Sequence, residues 1–221
     1  MALTDKLTAI ANAIRAKTGK TAKMTMTEMV TEIGSISGGL DELVDGSIDK
    51  YESSKITKIS AYKFYYSSLA TVSCPEVTSV GNNAFHVCNR LSSVNLPAAI
   101  NVGNNAFREC SILKSISLPK MFSANSYMFY KCVQLKTVDL GAASSIGTYA
   151  FNNCIALTAF VLRNTSKVCS LSNTNAFTST PIASGTGYIY VPDALVDSYK
   201  AATNWSTYAA QIKPLSEYTG G

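Results

Sequence analysis

Four cysteines recur at a fixed interval in this 221-residue chain: Cys88, Cys110, Cys132 and Cys154, each 22 residues after the last. Sulfur at such spacing could bind a metal, form disulfides or supply a nucleophile. A tetrahedral zinc site draws its ligands from close pairs such as Cys-x-x-Cys, and the chain has none. A disulfide between neighbours is conceivable by distance, but side chains projecting in parallel from a repeat meet with poor torsion geometry. The pattern therefore reads as one small buried thiol per repeat, with no metal site. The only histidine, His86, would have to serve any Ser-His-Asp or Cys-His arrangement. It follows a phenylalanine, in a slot that holds Tyr65, Arg108, Tyr130 and Asn152 elsewhere. A slot that accepts such different residues points to an exposed face, and no base or orienter recurs beside it. No phosphate-binding G-x-x-x-x-G-K-[ST] loop, EF-hand or H-E-x-x-H helix occurs. The chain reads as a non-enzyme without a cofactor.

The elements that position these residues follow from self-similarity. VGNNAFHVCNRLSSVNLP (80–97) aligns with VGNNAFRECSILKSISLP (102–119), with SYMFYKCVQLKTVDLG (126–141) and IGTYAFNNCIALTAFVL (146–162), and with a weaker copy, ISAYKFYYSSLATVSCP (59–75). The consensus is I/V-G-x-x-A-F-x-x-C-x-x-L-x-x-V-x-L-P. Marker phenylalanines stand at 64, 85, 107, 129 and 151, spaced 21, 22, 22 and 22, and Phe177 follows after 26, with a loop near Arg163–Ser172 absorbing the surplus. In L-x-x-V-x-L the last two apolar residues alternate at period 2, so a short strand turns one side inward. A unit of this size cannot bury its own apolar face, and stacked copies build a continuous core. Each marker Phe is an inward anchor. Gly81, Gly103 and Gly147 mark a backbone turn where a Cβ would clash, and Pro75, Pro97 and Pro119 end the strands.

The composition agrees: 47% apolar and only 15% charged residues suit a packed core under a surface of Ser, Thr and Asn. The net charge of +5 is scattered without a basic run, which argues against nucleic acid as a partner. No window approaches 18 consecutive apolar residues, so no membrane insertion is expected.

The repeat unit resembles the BspA-type leucine-rich repeat over residues 56–192. The resemblance implies an α+β repeat fold, a right-handed leucine-rich-repeat solenoid of about six 22-residue coils with stacked short strands. YIYVPDALVDSYKAATNWSTYAAQIKPLSEY (188–218) is similar to the usual end of such arrays, where a last strand leads into a capping helix. Asp193 suits an N-cap there, Leu195, Val196, Tyr199 and Ala202 share a helical face, and Trp205, Tyr208 and Ile212 cover the last coil. Before the repeats, Leu3, Leu7, Ile10 and Ile14 form an a/d-like seam stopped by Gly19. Thr25–Glu28 opens a second helix with Met29, Val30 and Ile33 inward. LTAIANAIRAKTGKTAKMTMTEMVTEIGSI resembles the N-terminal segment of tail-associated proteins of phages and prophages of Gram-positive bacteria. The N-terminus lacks the apolar run of a signal peptide, as a virion protein made in the host cytoplasm would. The expected organisation is a helical attachment or oligomerisation leader (1–36), a hinge leading into the solenoid (37–55), the solenoid (56–192) and a helical cap (193–221).

The positions after each marker Phe carry the candidate binding residues: Tyr65, Tyr66, His86, Arg108 (with Glu109), Tyr130 and Lys131, with Tyr62, Tyr127 and Tyr149 nearby. Tyrosines there can form a contact surface for a protein or glycan on a cell surface, or tuck sideways between coils as packing. Outward strand positions hold Ser93, Asn95, Ser115, Ser117, Thr137 and Asp139. The function read from all this is non-enzymatic recognition by a phage or prophage tail component, receptor-binding or fibre-like, located in the virion. Residues 3–33 would supply a homo-oligomer or tail-protein contact. The alternative is a BspA-like adhesin or host-interaction protein at the bacterial surface.

Overall fold

The computed structural model describes residues 49–220. The leader expected over 1–36 and the hinge up to residue 48 lie outside the described residues. The remainder coils regularly, and each coil contributes two strands and a chain of turns.

The longer strands are β1 (Lys50–Glu52), β3 (Thr71–Ser73), β5 (Ser93–Asn95), β7 (Ser115–Leu118), β9 (Thr137–Leu140), β11 (Ala159–Leu162) and β13 (Tyr188–Val191). Between them fall the short strands β2 (Lys58–Ile59), β4 (Ser79–Val80), β6 (Asn101–Val102), β8 (Ser123–Ala124), β10 (Ser145–Ile146) and β12 (Ser170–Leu171). All pairing is parallel and coil to coil: β1-β3-β5 and β7-β9-β11-β13 on one side, β2-β4-β6 and β8-β10-β12 on another. The register places Ile116, Val138, Phe160 and Ile189 in one inward row. Strands β3 and β5 end just before Pro75 and Pro97, and β7 just before Pro119. Because β12 occupies Ser170–Leu171, the surplus before Phe177 is a loop only as far as Cys169, not a loop through Ser172.

The turns form the third side. Tyr62, Phe64 and Tyr66 donate their N–H groups to the carbonyls of Asn82, Ala84 and His86 on the next coil, at 3.0, 2.8 and 3.0 Å. The same triplet recurs from Asn83, Phe85 and Val87, from Asn105, Phe107 and Glu109, and from Tyr127, Phe129 and Lys131. The N–H groups between them close turns within the coil, such as Tyr65 to the Tyr62 carbonyl. Two residues of positive φ, four apart, bracket each marker Phe: Tyr62/Tyr66, Asn83/Val87, Asn105/Glu109, Tyr127/Lys131 and Tyr149/Asn153. None of Gly81, Gly103 and Gly147 is among the residues of positive φ; each is required because coils approach backbone to backbone there. A Cβ on Gly147 would lie 2.7 Å from the Ser126 nitrogen, and one on Gly81 would overlap the Ala61 backbone.

Inside, the marker rings stack almost parallel. Successive centroids from Phe64 to Phe85, Phe107, Phe129, Phe151 and Phe177 lie 5.2, 5.1, 5.4, 5.3 and 5.5 Å apart. Tyr51 closes one end of this column edge-on at 4.7 Å, and Tyr208 meets Phe177 edge-on at the other at 5.5 Å.

The carboxyl-terminal cap differs from the expected helix. Only Val196–Ala201 (α1) is α-helical; 3-10 turns flank it at Asp193–Leu195 and Trp205–Gln211, and Ile212–Pro214 forms a further parallel strand, β14, beside β13. Of the four residues expected on one helical face, only Tyr199 is buried. Asp193 accepts a hydrogen bond from the Ser216 N–H at 3.1 Å and caps no helix. Side chains of the cap replace the backbone of a further coil. The Cys169 N–H donates to Tyr199 Oη at 2.8 Å, Trp205 Nε1 donates to the Cys169 carbonyl, Asn204 Nδ2 to that of Leu171 and Tyr208 Oη to that of Thr174. The exposed edge of the last short strand is thereby satisfied.

The cysteine ladder is buried and free of disulfides. Each thiol also donates a hydrogen bond to the marker carbonyl of an earlier coil: Cys88 to Phe64 (2.9 Å), Cys110 to Phe85 (3.2 Å), Cys132 to Phe107 (3.0 Å) and Cys154 to Phe129 (3.0 Å). It is thus more than a small hydrophobe: it is a buried donor that fits behind a phenylalanine. Burial pushes the Cys132 thiol up to about 12 and raises Cys110 and Cys154 well above their ordinary value. Their thiolates are suppressed, so nucleophilic chemistry is unfavourable here. Among the described residues no group of three or more His, Cys, Asp and Glu is arranged to hold a metal ion.

Two predictions follow from this packing. Phe129→Ala opens a cavity between two stacked rings and should cost about 3–5 kcal/mol in urea unfolding; a loss below about 1 kcal/mol would contradict the stacked core. For the thiols, the unfolded chain ionises above an ordinary value of 9, whereas Cys132 in the fold holds its proton to about 12. Each such thiol therefore removes about 1.4 kcal/mol of stability per pH unit as pH rises through that window. Urea midpoints should be level from pH 7 to about pH 8.5, fall steeply towards about pH 10.5, and fall less steeply in Cys132→Ala. An equally steep fall in that variant would contradict the assignment.

Candidate functional site

The turn side carries the residues singled out after each marker Phe, and the backbone ladder fixes their order. Because the N–H groups of Tyr66, Val87 and Glu109 reach the carbonyls of His86, Arg108 and Tyr130, the slot after the marker forms one column: Tyr65, His86, Arg108, Tyr130, Asn152. A second column beside it runs Tyr66, Val87, Glu109, Lys131, Asn153. All six candidates lie in these two columns.

The columns are graded rather than uniformly exposed. Tyr65 and Tyr66 are exposed, His86, Arg108 and Tyr130 are half-buried, Lys131 is exposed, and Asn152 is buried. The expectation of an open slot throughout fails at Asn152, whose amide turns in to donate to the Asn175 carbonyl at 3.2 Å. The two readings of the tyrosines separate along the stack. Tyr62, Tyr65 and Tyr66 present 59, 42 and 64% of their surface, whereas Tyr127 stacks sideways on Tyr149 at 4.9 Å between coils.

The planar groups lean on one another. Tyr65 meets Tyr66 at 4.5 Å and His86 at 5.2 Å, both edge to face. The Arg108 guanidinium lies 4.8 Å from the Tyr130 ring centre and 5.9 Å from that of Tyr127. Its Nε donates to Glu109 Oε1 at 3.1 Å, while Lys131 Nζ lies 5.4 Å from the Tyr130 ring centre. Such stacking suits guanidinium, which is weakly hydrated and planar. Burial, reinforced by the Arg108 charge, holds His86 below its ordinary value, so it stays neutral near pH 7. Its Nδ1 is buried without a hydrogen-bond partner. His86 meets the rings of Tyr65 and Tyr66, 5.2 and 6.3 Å between centroids, and feels the charges of Arg108 and Glu109.

Backbone strain concentrates on the same face. Tyr62 (φ 59°) holds the left-handed position filled by Asn83, Asn105, Tyr127 and Tyr149 in other coils, and Tyr66 (φ 58°) and Val87 (φ 61°) hold the one filled by Glu109, Lys131 and Asn153. An asparagine adopts this conformation readily; a tyrosine or β-branched valine costs on the order of 1–2 kcal/mol more.

Sequence reading missed two further surfaces. Ile100 and Phe122 stand one coil apart, exposed beside a groove of about 380 Å³ whose rim includes Lys58 and Asn101. The signal was present, since both occupy the position before β6 and β8 in their units. On the long-strand side, Ser93, Asn95, Ser115 and Ser117 face outward as expected, but Asp139 is held by Arg163, whose Nε donates to Oδ1 at 3.0 Å and whose Nη2 donates to Oδ2 at 2.8 Å. Beyond it Tyr188, Tyr190 and Tyr218 gather around Lys213, whose Nζ lies 4.3 Å from the Tyr188 ring centre.

Comparison with known proteins adds the family. The chain is similar to a leucine-rich repeat protein from Eubacterium ventriosum, with 17% identity and a TM-score of 0.50, over 60% of this chain and 43% of that one. It also resembles a leucine-rich repeat protein from Bacteroides ovatus (18% identity, TM-score 0.42, 62% of this chain and 47% of that one). A third likeness is to the pneumococcal vaccine antigen PcpA (16% identity, TM-score 0.49, 76% and 40%). The chain thus spans less than half the length of these structures, and at such identities the likeness concerns the fold alone. No curated protein matches it. The model of the BspA type leucine rich repeat region matches residues 53–184 in six copies. With stacked parallel strands, one marker Phe per coil and that match over more than half of its length, the chain belongs to the BspA type leucine rich repeat family.

Proposed function

We propose that this protein is a non-enzymatic recognition module of the BspA type, acting at a bacterial cell surface as an adhesin or host-interaction protein and making contact through its turn side. The observation that carries this reading is the pair Tyr62 and Tyr66: large aromatic residues, mostly exposed, held in a backbone conformation that costs stability. The ladder requires this conformation in every coil, but Asn83 and Asn105 meet it at the position of Tyr62 with less strain, so a tyrosine exposed there reads as a contact residue. The surrounding columns place Tyr65, His86, Arg108, Tyr130 and Lys131 within the same patch, on a hydrogen-bonded scaffold that leaves little ordering to be done on binding.

The family match supports the adhesin reading over the tail-fibre one. The latter rests on residues 1–36, which lie outside both the described residues and the family match. Among the described residues no helix is long and apolar enough to cross a membrane. Buried thiols held protonated and a histidine packed against tyrosine rings are the support for a binding rather than a catalytic role.

The test is binding of fluorescently labelled chain to a cultured epithelial monolayer. Saturable binding should fall at least tenfold in Tyr65→Ala/Tyr66→Ala and stay unchanged in the strand-side variant Ser115→Ala/Ser117→Ala. The reverse pattern would overturn the choice of face, and turnover of peptidoglycan that His86→Ala abolishes would overturn the non-enzymatic reading. A second prediction separates contact from packing. In Tyr62→Asn the relief of about 1–2 kcal/mol of strain outweighs one lost edge contact of about 0.5–1.5 kcal/mol. Its melting temperature should hold or rise while binding drops; a lower melting temperature would make Tyr62 a packing residue.

A further inference from the structure

Resting on that recognition reading, we propose that the turn side binds an acidic polysaccharide, one whose sugar rings carry carboxylates, laid across the coils from Tyr66 to Lys131. The span is three coil steps, about 14 Å, enough for a short oligosaccharide segment.

Three observations lead there. The first is charge. Arg108 and Lys131 stand in adjoining columns of this side, with Glu109 paired to Arg108, in a chain of net charge +5. Glu109 shows how a carboxylate seats here, accepting from Arg108 Nε at 3.1 Å. Among the described residues the two terminal nitrogens of Arg108 make no hydrogen bond, while the guanidinium lies 4.8 Å from the centre of the Tyr130 ring. A guanidinium oriented in advance with free donors is matched to a planar anion. The second is ring surface. Tyr62, Tyr65 and Tyr66 form an exposed cluster of rings, with centroids 5.6 and 4.5 Å apart. Aromatic faces give the apolar side of a sugar ring a platform, and the hydroxyl groups add polar contacts.

The third observation distinguishes a glycan from an acidic peptide. An extended peptide docks by adding a strand, which needs free main-chain donors and acceptors. Here the N–H groups of Phe64, Tyr66, Val87, Glu109 and Lys131 are all engaged with the next coil, so the side lacks the row of main-chain donors that strand addition needs. Recognition by ring faces and charged side-chain donors alone is suited to a saccharide polyanion.

Biolayer interferometry with immobilised polygalacturonate, dextran and poly-glutamate tests the proposal. The full chain should bind polygalacturonate at least tenfold more tightly than either other polymer, and added salt should weaken the binding. Arg108→Gln/Lys131→Gln and Tyr65→Ala/Tyr66→Ala should each lose tenfold or more with circular dichroism unchanged, whereas Ser115→Ala/Ser117→Ala should lose nothing. Equal binding to poly-glutamate would reduce the effect to charge alone, equal binding to dextran would remove the role of the carboxylates, and no binding to polygalacturonate would overturn the proposal outright. The epithelial binding assay keeps the two claims apart. If the tyrosine variant fails on cells while polygalacturonate is ignored by all chains, the recognition reading stands and the acidic polysaccharide falls. If the tyrosine variant is unaffected in both assays, the recognition reading itself falls.

Discussion

The structure depends on a hydrogen-bond constraint on its turn side. Every second N–H in the segment around a marker Phe points along the stack to the next coil, and the ones between close turns within the coil. Two left-handed residues four apart make this alternation possible, and they hold the intervening Phe side chain inward. A turn that would be a mobile loop elsewhere becomes a third ladder beside two parallel sheets. Everything else is fitted to it. Glycines sit where one coil's backbone meets another's, and the thiol behind each marker donates to a carbonyl of the preceding coil. The rings stack because the ladder repeats in register.

A stack of this kind must also end. Repeat arrays leave unpaired strand edges at their termini, where chains would otherwise associate. The cap answers with side chains: Tyr199, Asn204, Trp205 and Tyr208 serve backbone groups that another coil would have served, while β14 continues the long-strand sheet. This lets a solenoid finish without an edge at its last short strand.

Much of this was legible in the residues. The 22-residue spacing of Phe85, Phe107, Phe129 and Phe151 specifies the coil, because an inward anchor of that size has to recur at the same angle in each turn of the stack. The second Asn of N-N-A-F is a residue that tolerates the left-handed region, and it stands there in two coils. Tyr62 and Val87 carry no such signal, so the strain at those positions emerged only from the backbone. The cap was expected as a helix because Leu195, Val196, Tyr199 and Ala202 share a helical period. The left-handed Asn204 (φ 64°) interrupts the continuation, and Ile212 completes a sheet instead of covering it. For the candidate site, chain order placed the six residues in equivalent slots, and the ladder turned equivalence into adjacency. What sequence could not supply was depth: Asn152 occupies the same slot as exposed Tyr65 yet is buried.

The turn side is a hydrogen-bonded platform and not a set of loops. Native-state hydrogen exchange followed residue by residue tests it directly. The amides of Val87, Glu109 and Lys131 should exchange as slowly as those in the centre of the long-strand sheet, because all open only when coils separate. Exchange of those three as fast as the amides of the loop after Arg163 would contradict it.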